Sequence, residues 1–255
     1  MIKISKYLLR DLLQHKVIIT YGLVLLAITT ILFRMDDQAD KAIISIMNIT
    51  LLMIPLVSLI FSTIYYYNSY EFMEMVLAQP IARKSLIASL YISICTALTL
   101  SILIGMGLPM IFMAQSSLAY TLLPIGILYT WVFVAVSLWA SVWTRDKAKG
   151  IGLTLMIWFY FTILYDAIVL MLIFQFSDYP LEKTTLILSS LNPIDLGRIF
   201  ILLNMDISAM MGYTGAVYHD FFGSGLGKLY TLIVLVIWMI IPFLMSVRIF
   251  LKKDF

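Results

Sequence analysis

The stretch AIISIMNITLLMIPLVSLIFSTIYY, residues 42–66, runs for 25 positions without a charged side chain. A helix rising about 1.5 Å per residue needs roughly 20 such positions to cross the hydrocarbon of a bilayer, so this segment reads as a membrane-spanning helix. Working outward from it, five more stretches meet the same test: Val17–Phe33, Leu86–Met113, Tyr120–Trp143, Ile151–Phe176 and Leu229–Phe250. The first is the shortest, but His15, Lys16 and Arg34 at its ends can reach the headgroups. The expected fold is an all-α integral membrane protein with six transmembrane helices, a single domain over residues 1–255. Composition agrees, with 62% hydrophobic and 12% charged residues, where soluble domains carry about 25% charged residues. A soluble enzyme is excluded.

Six spans put both termini on one side, and the distribution of Lys and Arg chooses which. One face collects Lys3, Lys6, Arg10, Lys16, Arg83, Lys84, Arg145, Lys147, Lys149, Arg248, Lys252 and Lys253. The other holds Arg34, Lys41, Lys183, Arg198 and Lys228 among eight acids, Asp36, Asp37, Asp40, Asp178, Glu182, Asp195, Asp206 and Asp220. Both termini are therefore expected in the cytoplasm. Residues 1–16 place Ile4, Leu8, Leu9, Leu12 and Leu13 on one helical face and Lys3, Lys6, Arg10 and Gln14 mostly on another. That pattern reads as an interfacial helix on the cytoplasmic leaflet and not as a cleaved signal peptide, whose basic region is a short stub.

Several chemistries lack their residues. No Gly-x-x-x-x-Gly-Lys-Ser/Thr occurs, since the one Gly-Lys pair, Gly227-Lys228, is followed by Leu229. Gly223-Ser224-Gly225 follows Phe222, where a nucleophile elbow needs glycine. His15 and His219 fall on opposite sides of the membrane, and the lone Cys95 reads as a small core hydrophobe. The sequon at Asn48 lies inside a span. No metal site, catalytic residue, cofactor of its own or nucleic-acid partner is expected.

Residues 67–85 form the informative cytoplasmic loop. Tyr70 to Gln79 reads as a short helix, with Glu71 and Glu74 near its N-terminus, where the helix dipole favours negative charge, and Pro80 closing it. Glu71 and Glu74 share a polar face, while Phe72, Met73, Val76 and Leu77 form an apolar surface that lipid or another protein is expected to cover. From the residues alone, a helix that merely turns the chain around is an equal reading. Glu74, Leu77, Gln79, Pro80 and Arg83 resemble the acidic, leucine, Gln-Pro and arginine pattern of ABC-2 type transporter permeases, of type V exporter-like fold. In that family this loop is the coupling helix that docks on the ATPase subunit. The resemblance implies that Glu71, Phe72, Glu74, Leu77, Gln79, Pro80 and Arg83 meet that subunit. In the second cytoplasmic loop, Thr144–Gly150, Arg145 and Lys147 are candidates for a further ATPase contact, against the alternative of a loop that holds headgroups.

Residues 177–228 form the one sizeable extracytoplasmic segment, expected to lie in the outer interface. Within it a helix from Ile194 to about Met211 is expected, with Asn192 as cap, Pro193 in the first turn and Asp195 paired with Arg198 at i, i+3. Asn192, Pro193, Asp195 and Arg198 are similar to a stretch of NosY-type permeases of nitrous-oxide-reductase maturation. That likeness implies a homodimer, two copies of an ABC ATPase that bind ATP and Mg, a periplasmic accessory protein contacting these four residues, and copper-site maturation as the output. Met205, Met210, Met211 and His219 suit Cu(I) by ligand type, but methionine is spread through the spans and ligation is not expected. Asp166 lies deep within a span, where an ionised carboxylate costs roughly 2.5–3.5 kcal/mol. It must be protonated, paired or facing water, in a translocation path or in a structural bond.

The resemblance thus implies a permease subunit in a bacterial inner membrane, surrounded by lipid and driven by a separate ATPase. The competing class is a structural or force-transmitting subunit of a surface or motility machine that moves no solute.

Overall fold

A computed structural model describes residues 2–35, 39–113, 117–144, 146–176, 187–204 and 225–253. The described chain is helical, and we number its helices α1 Ile2–Gln14, α2 Lys16–Met35, α3 Ala39–Asn68, α4 Tyr70–Leu77, α5 Arg83–Met113, α6 Ser117–Trp143, α7 Lys147–Gln175, α8 Pro193–Asn204 and α9 Gly225–Leu251. Six of them, α2, α3, α5, α6, α7 and α9, are long and apolar enough to cross a membrane. These are the six expected stretches with ends moved by a few residues.

α6 is the centre of the bundle and packs along both α3 and α9. Its apolar window is 67% buried against 6% for α7, so α6 meets protein while α7 turns most of its side chains outward. Bulk hydrophobicity does not hold such helices together in lipid; close approach and interhelical hydrogen bonds do. Thr63 and Ser137 share a hydrogen bond of 2.8 Å, Ser137 Oγ donates to Leu59 O at 3.0 Å, and Ser141 Oγ donates to Thr63 Oγ1 at 3.3 Å. This ladder fixes α3 on α6. Between α5 and α6, Trp131 Nε1 donates to Thr99 Oγ1 at 3.2 Å and Tyr91 donates to the Trp131 carbonyl at 3.0 Å.

α2 crosses α5 where α5 makes a π-helical turn, Leu103–Gly107. A Cβ on Gly105 would lie 2.6 Å from Leu25 Cβ and 2.7 Å from the Gly22 carbonyl, so only glycine admits the two backbones this close. α7 contains a second π turn, Tyr160–Leu164. Neither turn has a hydropathy signature.

Two placements differ from expectation. α1 lays Leu8 and Leu12, both buried, against the protein and packs on α5, with Ser93 Oγ donating to the Ser5 carbonyl at 3.0 Å. Its apolar face is thus covered largely by the bundle and not by the leaflet alone, although Leu13 stays exposed. The described part of the 177–228 segment is not confined to the outer interface either. It re-enters the bundle from the end opposite α4. Its tip contacts the middles of three spans: Tyr129 of α6 donates to the Ile194 carbonyl at 2.8 Å, Asn192 Nδ2 donates to the Phe161 carbonyl of α7 at 2.9 Å, and Trp238 Nε1 of α9 donates to the Ser190 carbonyl at 3.1 Å. The physical reason is satisfaction of polar groups. Irregular backbone is tolerated at membrane depth where protein supplies its hydrogen bonds. α8 ends at Asn204, and residues 205–224, with the remainder of the expected helix and its methionines, lie outside the described residues.

Candidate functional site

The 67–85 loop begins where α3 ends. Ser69 precedes α4, Glu71 occupies its first turn, and the last turn closes through Ala78 N–H to the Glu74 carbonyl at 3.1 Å before Pro80 stops the helix. Eight residues cannot hold a helix in isolation, so packing must do so. Met73 and Val76 are buried, and the Phe72 ring stacks on Tyr7 of α1 with centroids 5.6 Å apart. The apolar surface expected to need lipid or another protein is therefore covered in good part by this chain. The opposite face carries Glu71, Glu74, Met75, Ala78, Gln79 and Pro80, all exposed, with Met75 at 64%. That face is acidic at two positions and carries the apolar Met75 beside them.

Three connections anchor α4 to the bundle. Tyr65 donates to Asp11 Oδ2 at 3.0 Å and ties α1 to the end of α3. Tyr67 donates to the carbonyls of Ser141 and Thr144, each at 3.2 Å, and Lys147 Nζ donates to Asn68 Oδ1 at 2.7 Å, which joins the α6–α7 turn to the foot of α4. Arg83 turns back and donates through Nη1 to the carbonyls of Leu251 at 3.2 Å and Lys253 at 2.8 Å, the open C-terminal end of α9. A cation there meets the negative end of the helix dipole. Lys253 Nζ sits 5.7 Å from the ring centroids of both Tyr66 and Tyr70.

Among the sequence-predicted coupling residues, the structure thus divides the roles. Glu71, Glu74, Gln79 and Pro80 form the outward face, Phe72 and Leu77 are half-buried, and Arg83 binds the end of α9. Lys147 holds the foot of α4, and Asp146 caps α7 by accepting from Ala148 N–H at 2.7 Å; Arg145 lies outside the described residues.

At the other end, Asp166 is paired: Arg198 Nη1 donates to its Oδ2 at 2.9 Å and stands 3.5 Å from Asp195 Oδ1. Asn192 accepts from Ile194 N–H at 3.0 Å, as a cap should, and donates to Asp195 Oδ2 at 3.0 Å. Asn192 and Pro193 are buried at the tip of the re-entrant segment, so they present no outward surface in this arrangement. A Cβ on Gly197 would fall on the Tyr129 hydroxyl, and one on Gly150 would fall on the Tyr67 hydroxyl. Sequence reasoning passed over both glycines and both tyrosines. The signal available for Tyr129 was that a Tyr or Trp in mid-span needs a partner for its polar atom. Beneath the tip an apolar groove of about 430 Å³ opens between α6, α7 and α9, lined by Trp139, Tyr160, Phe161 and Trp238 among others.

No curated protein matches the sequence. A family model described as ABC-2 family transporter protein matches residues 23–255. The chain belongs to that family, whose members are membrane-spanning transport subunits without catalytic activity of their own and whose membership implies an ATPase partner.

Proposed function

We propose that this ABC-2 family chain is the permease subunit that receives mechanical work from a separate ATPase through the outward face of α4. The supporting observation is the two-sidedness of α4: an exposed face with Glu71, Glu74 and Met75, and an opposite face with Met73 and Val76 buried and Phe72 stacked on Tyr7 of α1, with its flanks tied to the α6–α7 turn and to the end of α9. A lever must be free on the side that is pushed and fixed on the side that transmits. Interfaces that behave this way convert small displacements into rigid-body shifts of packed helices.

The proposed assembly is a homodimer with two ATPase subunits that bind ATP and Mg, in a bacterial inner membrane with both termini in the cytoplasm. Delivery of material for copper-site maturation through a periplasmic accessory protein is the most specific form of the proposal. It rests on the likeness of Asn192, Pro193, Asp195 and Arg198 to NosY-type permeases, and Asn192 and Arg198 also tie the re-entrant segment to α7.

The test is Glu74→Arg with the ATPase subunit co-expressed. Loss of copurification or of permease-dependent ATP turnover is expected, because the substitution reverses charge on an exposed face without touching the core. Wild-type copurification and turnover would refute docking at α4. A structural subunit would keep docking yet give no ATP-dependent flux in sealed vesicles.

A further inference from the structure

A groove of about 220 Å³ runs along α3 beside the joint of α1 and α2, and its two ends differ in chemistry. Its wall is a stripe of α3 that leads from Leu56 through Ile60 and Ile64 to Asn68, with His15 across from it. Between positions 56 and 68 the helix rises about 18 Å, roughly one leaflet's share of a hydrocarbon layer about 30 Å thick together with its edge. The deep end is aliphatic and offers water no hydrogen-bond partners, so hydrocarbon suits it. The polar end lies beside α1 and the foot of α4, on the side where the distribution of Lys and Arg places the cytoplasm.

Hydrogen-bond bookkeeping at that end leaves donors. Asn68 Oδ1 accepts from Lys147 Nζ at 2.7 Å, which fixes a cation at the mouth and leaves the Asn68 amide NH2 to donate. His15 Nδ1 accepts from Val17 N–H at 3.3 Å, so the neutral ring carries its hydrogen on Nε2, another donor. Lys16, between the lining residues His15 and Val17, is exposed. The neighbouring acids are engaged by this chain: Asp11 Oδ2 accepts from Tyr65 at 3.0 Å, and Asp146 Oδ1 accepts from Ala148 N–H at 2.7 Å. A mouth rich in donors and cations above an apolar channel is complementary to an anionic head on a hydrocarbon chain. A second copy across a two-fold axis would set like-charged patches against each other.

We propose that this groove holds one anionic phospholipid of the cytoplasmic leaflet, with an acyl chain along Ile60 and Ile64 and its phosphate at Lys147, Asn68 and His15. The lipid wedges the joint of α1 and α2 where two ties meet, Tyr65 to Asp11 and Lys147 to Asn68. It thereby braces the foot of α4 from the membrane side, and its binding does not depend on how an ATPase docks.

Native mass spectrometry of the full chain, released from nanodiscs of equal phosphatidylglycerol and phosphatidylcholine with the same acyl chains, tests this. The wild type is expected to retain one phosphatidylglycerol per chain, favoured over phosphatidylcholine by about fivefold or more, since one lysine near an anionic head contributes about that factor. Lys147→Gln keeps a donor for Asn68 and removes the charge, and should lower the preference about fivefold. Lys149→Gln, at an exposed position of the same loop, should leave it unchanged. Ile60→Trp fills the channel and should abolish the adduct. No preference in the wild type, an equal loss in Lys149→Gln and Lys147→Gln, or an adduct retained in Ile60→Trp overturns the proposal. So does a fall in the dimer fraction of Ile60→Trp with lipid retention unchanged, the result if a second copy covers the groove. Should Ile60→Trp fail to fold, the contrast between Lys147→Gln and Lys149→Gln decides.

Discussion

Arg83→Met isolates the link between the 67–85 loop and the last span. Arg83 donates two hydrogen bonds at the end of α9, at 3.2 Å to the carbonyl of Leu251, its last residue, and at 2.8 Å to that of Lys253 just beyond it. Hydrogen bonds that involve a charged group contribute about 1.5–3 kcal/mol each. The side chain is half-buried and the longer bond is weak, so the pair together is worth about 2–3 kcal/mol, to which the helix-dipole interaction contributes. Methionine keeps the length and apolar stem but supplies no donor. At about 1.36 kcal/mol per factor of ten, opening of the last turn of α9 becomes roughly 30- to 150-fold easier. That turn is closed by Lys252 N–H to the Ile249 carbonyl at 3.1 Å and Lys253 N–H to the Phe250 carbonyl at 3.3 Å. Hydrogen exchange at these two amides should therefore accelerate by that factor while α3 and α6 stay protected. Permease-dependent ATP turnover should also lose its link to flux, with the ATPase still bound. Unchanged protection at Lys252 and Lys253 would show that Arg83 does not hold α9, and the reasoning would fail.

Two further predictions follow from close packing. Gly150→Ala drives a methyl into the Tyr67 hydroxyl and breaks its bonds to the α6–α7 turn; the expected loss is about 1–3 kcal/mol, read as earlier unfolding in detergent against wild type. Tyr129→Phe removes the donor to the Ile194 carbonyl; interhelical bonds in membranes average about 0.6 kcal/mol and reach about 1.7, so a loss near 1 kcal/mol with faster exchange across α8 is expected in reversible unfolding from mixed micelles.

The six spans are legible because hydropathy over about 20 residues has few competing explanations. The re-entrant path of α8 is not, because Asn192, Asp195 and Arg198 count as polar in any sum along the chain, although each is paired inside the bundle. Asp166 declares itself by its cost, but its partner lies 32 positions away on a helix whose depth the sequence leaves open. Arg83 shows the opposite difficulty. It fits a docking pattern by position, whereas its side chain finds the carbonyls of a helix end far along the chain. The apolar positions of α4 reveal that something covers them, and only the packing of Tyr7 on Phe72 reveals that α1 takes part. Pairings between distant segments are set by tertiary geometry, which residue spacing does not carry.

Site-directed crosslinking tests the account most directly, with the ATPase subunit co-expressed and cysteine placed on either face of α4. Met75→Cys, at a position 64% exposed, should crosslink to the ATPase in membranes, while Met73→Cys, fully buried at 0%, should not, and the buried Cys95 should stay silent. Capture of lipid-phase reagents alone at position 75, with no ATPase adduct under turnover, would contradict the account.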